Sequence, residues 1–177
     1  ALGDLLAVPA WITQRFWFAL LMCAAFLGVR LLAMRLGVGG PQTRLVGAAA
    51  YALAPNALAT MGQLSSEYLP VAMLPWMLVP LVTAVESGDG RIRAAARSGI
   101  AVACCSGINA SATVAVLVVP FLYLLTRPRG TRGRARLLAW WSAAVAVATS
   151  WWIVPLLLTG TYGYNWLAYT ERAGTIT

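Results

Sequence analysis

The sequence has no lysine and no histidine, and only 5 of its 177 residues are acidic. Without histidine, the chain lacks the commonest imidazole ligand for zinc and the general base of a serine-hydrolase triad. It also contains no Walker loop, no GxGxxG motif and no C-x-x-C pair, so no signature of a soluble nucleotide-binding or redox enzyme is present. We therefore expect no metal and no other cofactor.

Charge is scarce as well. Only 10% of the residues are charged, compared with about 25% in soluble domains, while 60% are hydrophobic and the mean hydropathy is +0.76. A water-soluble fold of this size cannot bury so much apolar surface, so we expect an integral membrane protein. The 13 arginines give a net charge of +8, but most lie in short segments between apolar runs. This pattern is typical of cytoplasmic loops rather than of a nucleic-acid-binding surface.

The three cysteines also lie within apolar runs. Cys104 and Cys105 are adjacent, and Cys23 makes the count odd. A disulfide framework is therefore not expected, and these side chains are interpreted as small buried hydrophobic residues.

The apolar segments predict membrane-spanning helices, each of which needs about 20 residues to cross the hydrocarbon core. Three predicted spans cover residues 16–36, 69–85 and 137–158. Another starts near Leu45, and Pro55 and Asn56 interrupt it. Arginine-rich or Gly/Pro-rich segments separate the spans and predict that residues 37–44, 86–97 and 126–136 face the cytoplasm.

Residues 98–125 pose a geometric problem. Only 28 residues separate two segments that are both predicted to be cytoplasmic. Two short helices of about 15–17 residues, meeting at the Gly/Asn break "SGINAS", satisfy this constraint, whereas a single span does not. The prediction is an all-α, polytopic transmembrane bundle of six crossings with broken and short helices, in which residues 1–177 belong to one transmembrane domain. No signal peptide is predicted, and the chain is interpreted as a piece of a larger protein.

Polar residues gather on the side opposite the arginine segments. Because polar residues at membrane depth tend to mark sites or pathways, the candidate substrate-binding residues are Glu67, Asn56, Ser65, Ser66, Tyr68, Asn109, Tyr162, Trp166, Glu171 and Arg172. Glu67 is equally well interpreted as the charge at the N-terminus of a span, and Asn109 as a residue that satisfies backbone groups where two half-helices meet.

Two further features have simple structural interpretations. The pairs Trp140/Trp141 and Trp151/Trp152 are predicted to be interfacial anchors at opposite membrane surfaces. The arginine segment 127–136 is predicted to set the topology, with docking of an anionic lipid or an acidic cytoplasmic protein as the alternative.

Four segments resemble a known family: "LGDLLAVPAWITQRFWFALLMCAAFLGVRLL", "AYALAPNALATMGQLSSEYLPVAMLPWMLVPL", "SGINASAT" and "SWWIVPLLLTGTYGYNWLAYTE". They are similar, in order and over nearly the whole chain, to the N-terminal membrane region of the actinobacterial α-(1→3)-arabinofuranosyltransferases (AftD). The resemblance implies a GT-C-like fold in the plasma membrane, with the active face on the periplasmic side. It also implies a decaprenyl-phosphoryl-arabinofuranose donor and an arabinan acceptor of arabinogalactan or lipoarabinomannan.

The resemblance does not extend to the catalytic base. In GT-C enzymes the base is usually an aspartate in the first extracytoplasmic loop, and Asp4 in "LGDLL" does not match that motif. We expect the base to lie upstream of Ala1, with Glu67 as a candidate assisting group. Two alternatives remain: a carrier or flippase for a polyprenyl-linked sugar, and a non-catalytic membrane scaffold.

Overall fold

The computed structural model describes residues 9–63, 65–88, 90–105, 107, 109–126 and 133–162. Within these ranges the chain is helical and contains no strand. The helices are α1 (Ala10–Arg35), α2 (Pro41–Ala52), α3 (Pro55–Gln63), α4 (Ser65–Ser87), α5 (Arg91–Ala103), α6 (Ala110–Thr126) and α7 (Arg134–Tyr162). The predicted all-α class is confirmed.

Among the described residues, four helical segments are long and apolar enough to cross a membrane. They are α1, α2 taken together with α3, α4, and α7. Helix α6 is apolar but has only 17 residues, and α5 has only 13. A break between Ala103 and Ala110 separates α5 from α6. The predicted pair of short helices is therefore confirmed, and Gly107 within the break adopts a left-handed backbone with φ of 62°.

The predicted interruption at Pro55 is present but shorter than expected. Helix α2 ends at Ala52 and α3 begins at Pro55, because a proline needs no hydrogen-bond partner in the first turn of a helix. Residues 55–63 and 65–68 are helical, so most of the segment between the second predicted span and the span at 69–85 is helix. The interpretation of Glu67 as the charge at the N-terminus of a span is confirmed. Glu67 lies in the first turn of α4.

Helix α4 forms the centre of the bundle. It packs against α1, α3, α5 and α6, while α5 also packs against α7 and α1 against α2. Half of its most apolar window is buried inside the described structure, compared with 17% or less for the other long segments. Buried Leu81 belongs to a cluster of side chains that also includes residues of α5, α6 and α7, and buried Leu69 belongs to another that includes residues of α1, α2 and α3.

Three prolines interrupt the hydrogen-bond ladder of α4 without ending the helix: Pro70, Pro75 and Pro80. A proline has no N–H, so Pro75 leaves the carbonyl of Val71, four residues earlier, without its helical donor. The hydroxyl of Tyr51 on α2 donates to that oxygen at 2.8 Å. A neighbouring helix thus supplies the hydrogen bond that proline removes, which is a requirement where water is excluded.

Helices α5 and α7 approach closely through small residues. A Cβ at Gly99 would lie 3.0 Å from the Cβ of Ala144, so the two backbones pack without intervening side chains. Nearby, the indole N–H of Trp141 donates to the hydroxyl of Ser98 at 3.0 Å, and both residues are buried.

The buried Trp141 corrects the prediction that both members of each tryptophan pair anchor the membrane interface. Trp140 and Trp151 are 44% and 60% exposed, whereas Trp141 is 4% exposed and Trp152 is half-buried. Consecutive residues of a helix point about 100° apart. One tryptophan of each pair therefore faces the protein and the other faces outward.

Candidate functional site

The first turn of α4 meets the beginning of α6 through a contact between two polar side chains. The amide Nδ2 of Asn109 donates to Oε1 of Glu67 at 3.3 Å, although 42 residues separate the two along the chain. Both residues are half-buried. Packing of α6 against α4 brings them together and forms a polar cluster at this end of the bundle.

Asn109 also caps α6. Its Oδ1 accepts hydrogen bonds from the backbone N–H of Ala112 at 3.0 Å and from the hydroxyl of Ser111 at 2.8 Å. A backbone N–H can only donate, so the atom that faces Ala112 must be the amide oxygen, and Nδ2 is left for Glu67. The interpretation of Asn109 as a residue that satisfies backbone groups between two half-helices is confirmed.

Thr113 completes the first turn of α6. Its backbone N–H and its hydroxyl both donate to the backbone carbonyl of Asn109, at 3.1 and 2.8 Å. Both the side chain and the carbonyl of Asn109 are therefore engaged by its own helix. This leaves the Asn109 amide little freedom to rotate, and it holds the Glu67 carboxylate in one place.

Within the described residues, Glu67 makes one hydrogen bond, in which its Oε1 accepts from Asn109 and its second oxygen, Oε2, takes no part. The carboxylate lies at the positive end of α4, and the N-terminus of α6 begins beside it. Two helix N-termini therefore surround a carboxylate whose second oxygen can still accept a hydrogen bond from a ligand.

The other predicted site residues divide between this cluster and more distant positions. Ser65 and Ser66 are half-buried in the first turn of α4 beside Glu67, whereas Asn56 is exposed in the first turn of α3.

Tyr68 is only 1% exposed, and its hydroxyl contacts the carbonyl of Ala52 at 3.4 Å, so it packs between α4 and α2. Tyr162 is 87% exposed at the end of α7.

Three of the predicted residues, Trp166, Glu171 and Arg172, lie outside the described residues. Their assignment to the site stays a prediction.

An apolar groove between α6 and α7 adjoins the polar cluster. It encloses about 580 Å³ and is lined by Ala110, Ser111, Val114, Trp152, Ile153 and Leu156, among others. Ser111 belongs both to this groove and to the hydrogen-bond network of Asn109. The groove therefore places an apolar surface next to the polar cluster.

Trp152 was not recognised as a site residue in the sequence. Its ring packs against Gly107 so closely that a Cβ at Gly107 would lie 2.5 Å from it. This contact joins a glycine with positive φ in the "SGINAS" break to an aromatic residue 45 positions later. It becomes visible only when α7 is placed beside the break. The sequence offered no periodicity that connects them.

The whole chain, residues 1–177, matches the family model described as the N-terminal GT-C domain of α-(1→3)-arabinofuranosyltransferase. The chain belongs to this GT-C family. The α-(1→3)-arabinofuranosyltransferase of Mycobacterium tuberculosis is 42% identical over 99% of this chain, and that of Mycolicibacterium smegmatis is 41% identical over 99%. The chain spans only 13% and 12% of the lengths of these two relatives.

Solved structures agree with this membership. Cryo-EM structures of the arabinofuranosyltransferase AftD from mycobacteria superimpose on 90% of this chain with TM-scores of 0.83 for a mutant form and 0.81 for the enzyme itself, both at 44% identity. The chain covers 13% and 12% of those chains. Together with the four segments long enough to cross a bilayer, this likeness establishes a GT-C-like, multi-pass membrane protein.

In this GT-C chain, the arrangement around Glu67 is suited to an amphiphilic ligand. The carboxylate and the serines of α4 can hydrogen-bond hydroxyl groups, while the groove beside Ser111 can take a hydrocarbon chain. The structure brings together Glu67, Ser65, Ser66 and Asn109 from the predicted site. It leaves Asn56 and Tyr162 exposed on other helices.

Proposed function

We propose that this chain forms part of a membrane arabinofuranosyltransferase. The enzyme would transfer arabinofuranose from a decaprenyl-phosphate donor to the arabinan of arabinogalactan or lipoarabinomannan. The identity to mycobacterial α-(1→3)-arabinofuranosyltransferases over the full chain supports the reaction class. The observation that carries a role for these residues is the contact of Glu67 with Asn109 beside an apolar groove.

Glu67 is proposed to position a sugar hydroxyl. Asn109 holds Oε1 of the carboxylate, so the second oxygen, Oε2, is available to accept a hydrogen bond from arabinose. A hydrogen bond to a carboxylate is stronger than one between neutral groups, and it fixes the orientation of the sugar hydroxyl that donates it. Correct orientation of the reacting groups is a large part of the rate enhancement of a group transfer.

The departing phosphate is proposed to lie towards the helix N-termini of the cluster. During the transfer, the bond from the anomeric carbon to the phosphate oxygen breaks while the acceptor hydroxyl attacks, and the leaving group takes up negative charge. The positive ends of α4 and α6 favour an anion, but the Glu67 carboxylate already occupies them. The phosphate is therefore proposed to lie on the α6 side of the cluster, with Arg172 supplying the positive charge that offsets the repulsion between the two anions.

The groove between α6 and α7 is proposed to hold the first isoprene units of the donor. Its lining includes Val114, Ile153 and Leu156, which offer only apolar surface. A lipid-linked donor has a polar head and a hydrocarbon chain, and this end of the bundle offers a surface for each.

The general base that takes the proton of the acceptor hydroxyl is proposed to come from outside these residues. Glu67 is hydrogen-bonded to Asn109 and would serve as an assisting group. A base supplied by another part of the enzyme would act on a sugar that this chain positions.

The proposal is tested by replacing Glu67 in the full-length enzyme. Glu67→Gln keeps an oxygen that accepts from Asn109 but removes the charge, so the fold should persist while kcat/KM for arabinose transfer falls about 10- to 100-fold. Glu86→Gln is the matched control, because Glu86 is an exposed acid at the other end of the same helix. It should transfer arabinose at the rate of the unsubstituted enzyme.

Equal turnover of the Glu67 and Glu86 variants would remove Glu67 from the site. If, instead, the purified enzyme moved the lipid-linked sugar across a vesicle membrane without transferring arabinose, the carrier interpretation would replace the transferase. Arabinose transfer and transport are measured on the same purified enzyme. A variant that has lost its fold fails in both assays and is thereby distinguished from one that has lost only the transfer reaction.

The protein is further proposed to lie in the plasma membrane. Its polar cluster would face the periplasm and its arginine segments the cytoplasm. Arginines at 35, 91, 93, 97, 134 and 136 lie at the opposite end of the helices from Glu67, as the positive-inside rule predicts. A cysteine at Ser66 should react with an impermeant maleimide added to spheroplasts. A cysteine at Gly40, where no neighbouring atom lies within 4 Å of a Cβ, should not.

The arginine segment 127–136 is proposed to contact an acidic cytoplasmic protein or anionic lipid. Of the arginines in this segment, only Arg134 and Arg136 lie within the described residues. The density of positive charge supports this interaction, and neutralising the segment should weaken membrane association of such a partner.

A further inference from the structure

A second groove runs along α4 from Met73 to Ser87, and its basic end lies at the opposite end of that helix from Glu67. It runs between α1, α4 and α5 and encloses about 460 Å³. Apolar side chains such as Met73, Trp76 and Ile100 line most of its length. At the end where α4 finishes and α5 begins, three arginines line it: Arg35, Arg93 and Arg97.

The three guanidinium groups come from two helices and converge on one space. Arg93 and Arg97 are four residues apart, so they project from the same face of α5. Arg35 is the last residue of α1. All three are exposed, and within the described ranges no hydrogen bond or ion pair involves their side chains.

The positive charge here has no counter-charge in the described part of the chain. None of the described residues that line the groove is acidic, and Glu86 is exposed outside the lining. Like charges at i and i+4 repel each other, and Arg93 stands in the first turn of α5, where the helix dipole disfavours a cation. An anion bound between the arginines would relieve both repulsions.

The dimensions of the groove fit a lipid. From Ser87 to Met73 it follows α4 for 14 residues, or about 21 Å at 1.5 Å per residue. One leaflet contributes about 15 Å of hydrocarbon. The groove is therefore long enough to hold an acyl chain along its apolar walls while the headgroup remains at the level of the arginines.

We propose that this groove binds an anionic glycerophospholipid of the surrounding leaflet, with its phosphate held by Arg35, Arg93 and Arg97. Arginine binds phosphate through paired N–H donors, and basic pockets between transmembrane helices select anionic headgroups. A further transmembrane helix would fill the apolar part but would bury three unpaired guanidinium groups, which is costly unless it also carries carboxylates. The inference does not depend on the proposed transferase reaction.

The test uses the full-length enzyme in nanodiscs that contain a phosphatidylglycerol probe with a photoactivatable diazirine in its acyl chain. After illumination, mass spectrometry should map the label to peptides that include Met73–Ser87 and Arg97–Cys104. Replacing Arg93 and Arg97 together with glutamine should lower this labelling at least fivefold. Arg35→Gln alone should lower it about twofold.

Arg30→Gln provides the matched control. Arg30 is also an exposed arginine of α1, but it does not line the groove. Its replacement should leave the labelling unchanged, which shows that the effect is not a general loss of basic charge near the membrane.

Three outcomes would overturn the proposal. Equal labelling in the Arg93/Arg97 double variant would show that the arginines do not hold the headgroup. Equal labelling by a phosphatidylcholine probe with the same diazirine would remove the selectivity for anionic lipid. Absence of label from both peptides in the unsubstituted enzyme, with label elsewhere, would indicate that another segment of the enzyme fills the groove.

Discussion

The indole N–H of Trp76 on α4 donates to the backbone carbonyl of Ala24 on α1 at 2.9 Å. This contact depends on a third residue, because a Cβ at Gly28 would lie only 2.7 Å from Nε1 of Trp76 and 3.0 Å from the Cβ of Pro75. Gly28 therefore allows the two central helices to approach until a side chain of one reaches the backbone of the other.

Gly28→Ala should destabilise the membrane domain. The added methyl group meets an indole ring and a proline, neither of which can rotate away, and overpacking of this kind costs about 1–3 kcal/mol. This exceeds the gain of about 1 kcal/mol that alanine brings to a helix over glycine. The apparent melting temperature of the purified enzyme in detergent should fall.

Gly47→Ala on α2 is the control for this substitution, because no atom lies within 4 Å of a Cβ there. It should leave the melting temperature unchanged or raise it slightly. A Gly28→Ala enzyme as stable as the Gly47→Ala enzyme would show that α1 and α4 do not pack as described.

Ser98→Ala should be more harmful than its small change in volume suggests. It leaves the indole N–H of Trp141 buried without the hydroxyl that accepts from it at 3.0 Å, and such interhelical bonds are worth about 0.6–1.7 kcal/mol. Trp141→Phe removes the donor instead, and the Ser98 hydroxyl can then turn to a carbonyl of its own helix. When the variants are compared by thermal unfolding, Ser98→Ala should therefore lower the melting temperature more than Ser150→Ala, which removes an exposed hydroxyl that donates, at 2.9 Å, only to the Val147 carbonyl of its own helix.

Tyr51→Phe tests the repair of the α4 ladder. The variant leaves the Val71 carbonyl without the hydroxyl that donates to it at 2.8 Å, while Pro75 cannot supply an N–H. We expect a loss of about 1 kcal/mol. Tyr68→Phe should cost less, because the Tyr68 hydroxyl lies 3.4 Å from its acceptor, at the long limit of a hydrogen bond.

Thermal unfolding of the two tyrosine variants in the same detergent provides the comparison. A larger loss for Tyr68→Phe than for Tyr51→Phe would contradict the assignment of Tyr51 as the donor that replaces the missing helical bond.

Substitutions at Asn109 separate its cap from its contact with Glu67. Asn109→Ser keeps a side-chain acceptor for the N–H of Ala112, so stability should change little, whereas Asn109→Ala should lose about 1 kcal/mol from the missing cap. Both variants lose the hydrogen bond to Glu67. On the proposed function, kcat/KM for arabinose transfer should fall about tenfold in each.

The melting temperature and the kcat/KM of the Asn109→Ser enzyme test these two roles separately. An Asn109→Ser enzyme that melts early would assign Asn109 a packing role. One that is stable and fully active would show that Glu67 needs no partner to act.

The sequence predicted the helix pattern well where one constraint dominated. The 28 residues between two basic segments left no arrangement except two short helices, and these are α5 and α6. The boundaries were less predictable. Helix α1 begins at Ala10 and α4 at Ser65, several residues before the predicted spans at 16–36 and 69–85, because backbone hydrogen bonds extend a helix beyond its long apolar run.

The site was predictable as a set of residue types but not as a set of contacts. Glu67 and Asn109 were chosen for polarity at membrane depth, yet their hydrogen bond depends on how α6 packs along α4. The same is true of Tyr51, since the position of Pro75 reveals which carbonyl lacks a donor but not which helix supplies one. The groove with Arg35 likewise depends on the meeting of two helices that are distant in sequence.

The shortness of α5 has a consequence for how reactants meet. Its 13 residues rise about 20 Å and the 17 residues of α6 about 25 Å, whereas the hydrocarbon interior of a bilayer is about 30 Å thick. A pair of helices of these lengths ends roughly 5–10 Å short of the far surface of such an interior, and Asn109 lies at that end. On the proposed function, an aqueous recess reaching this depth would let a hydrophilic polysaccharide acceptor and an isoprenoid-linked donor meet there, each without leaving its own phase.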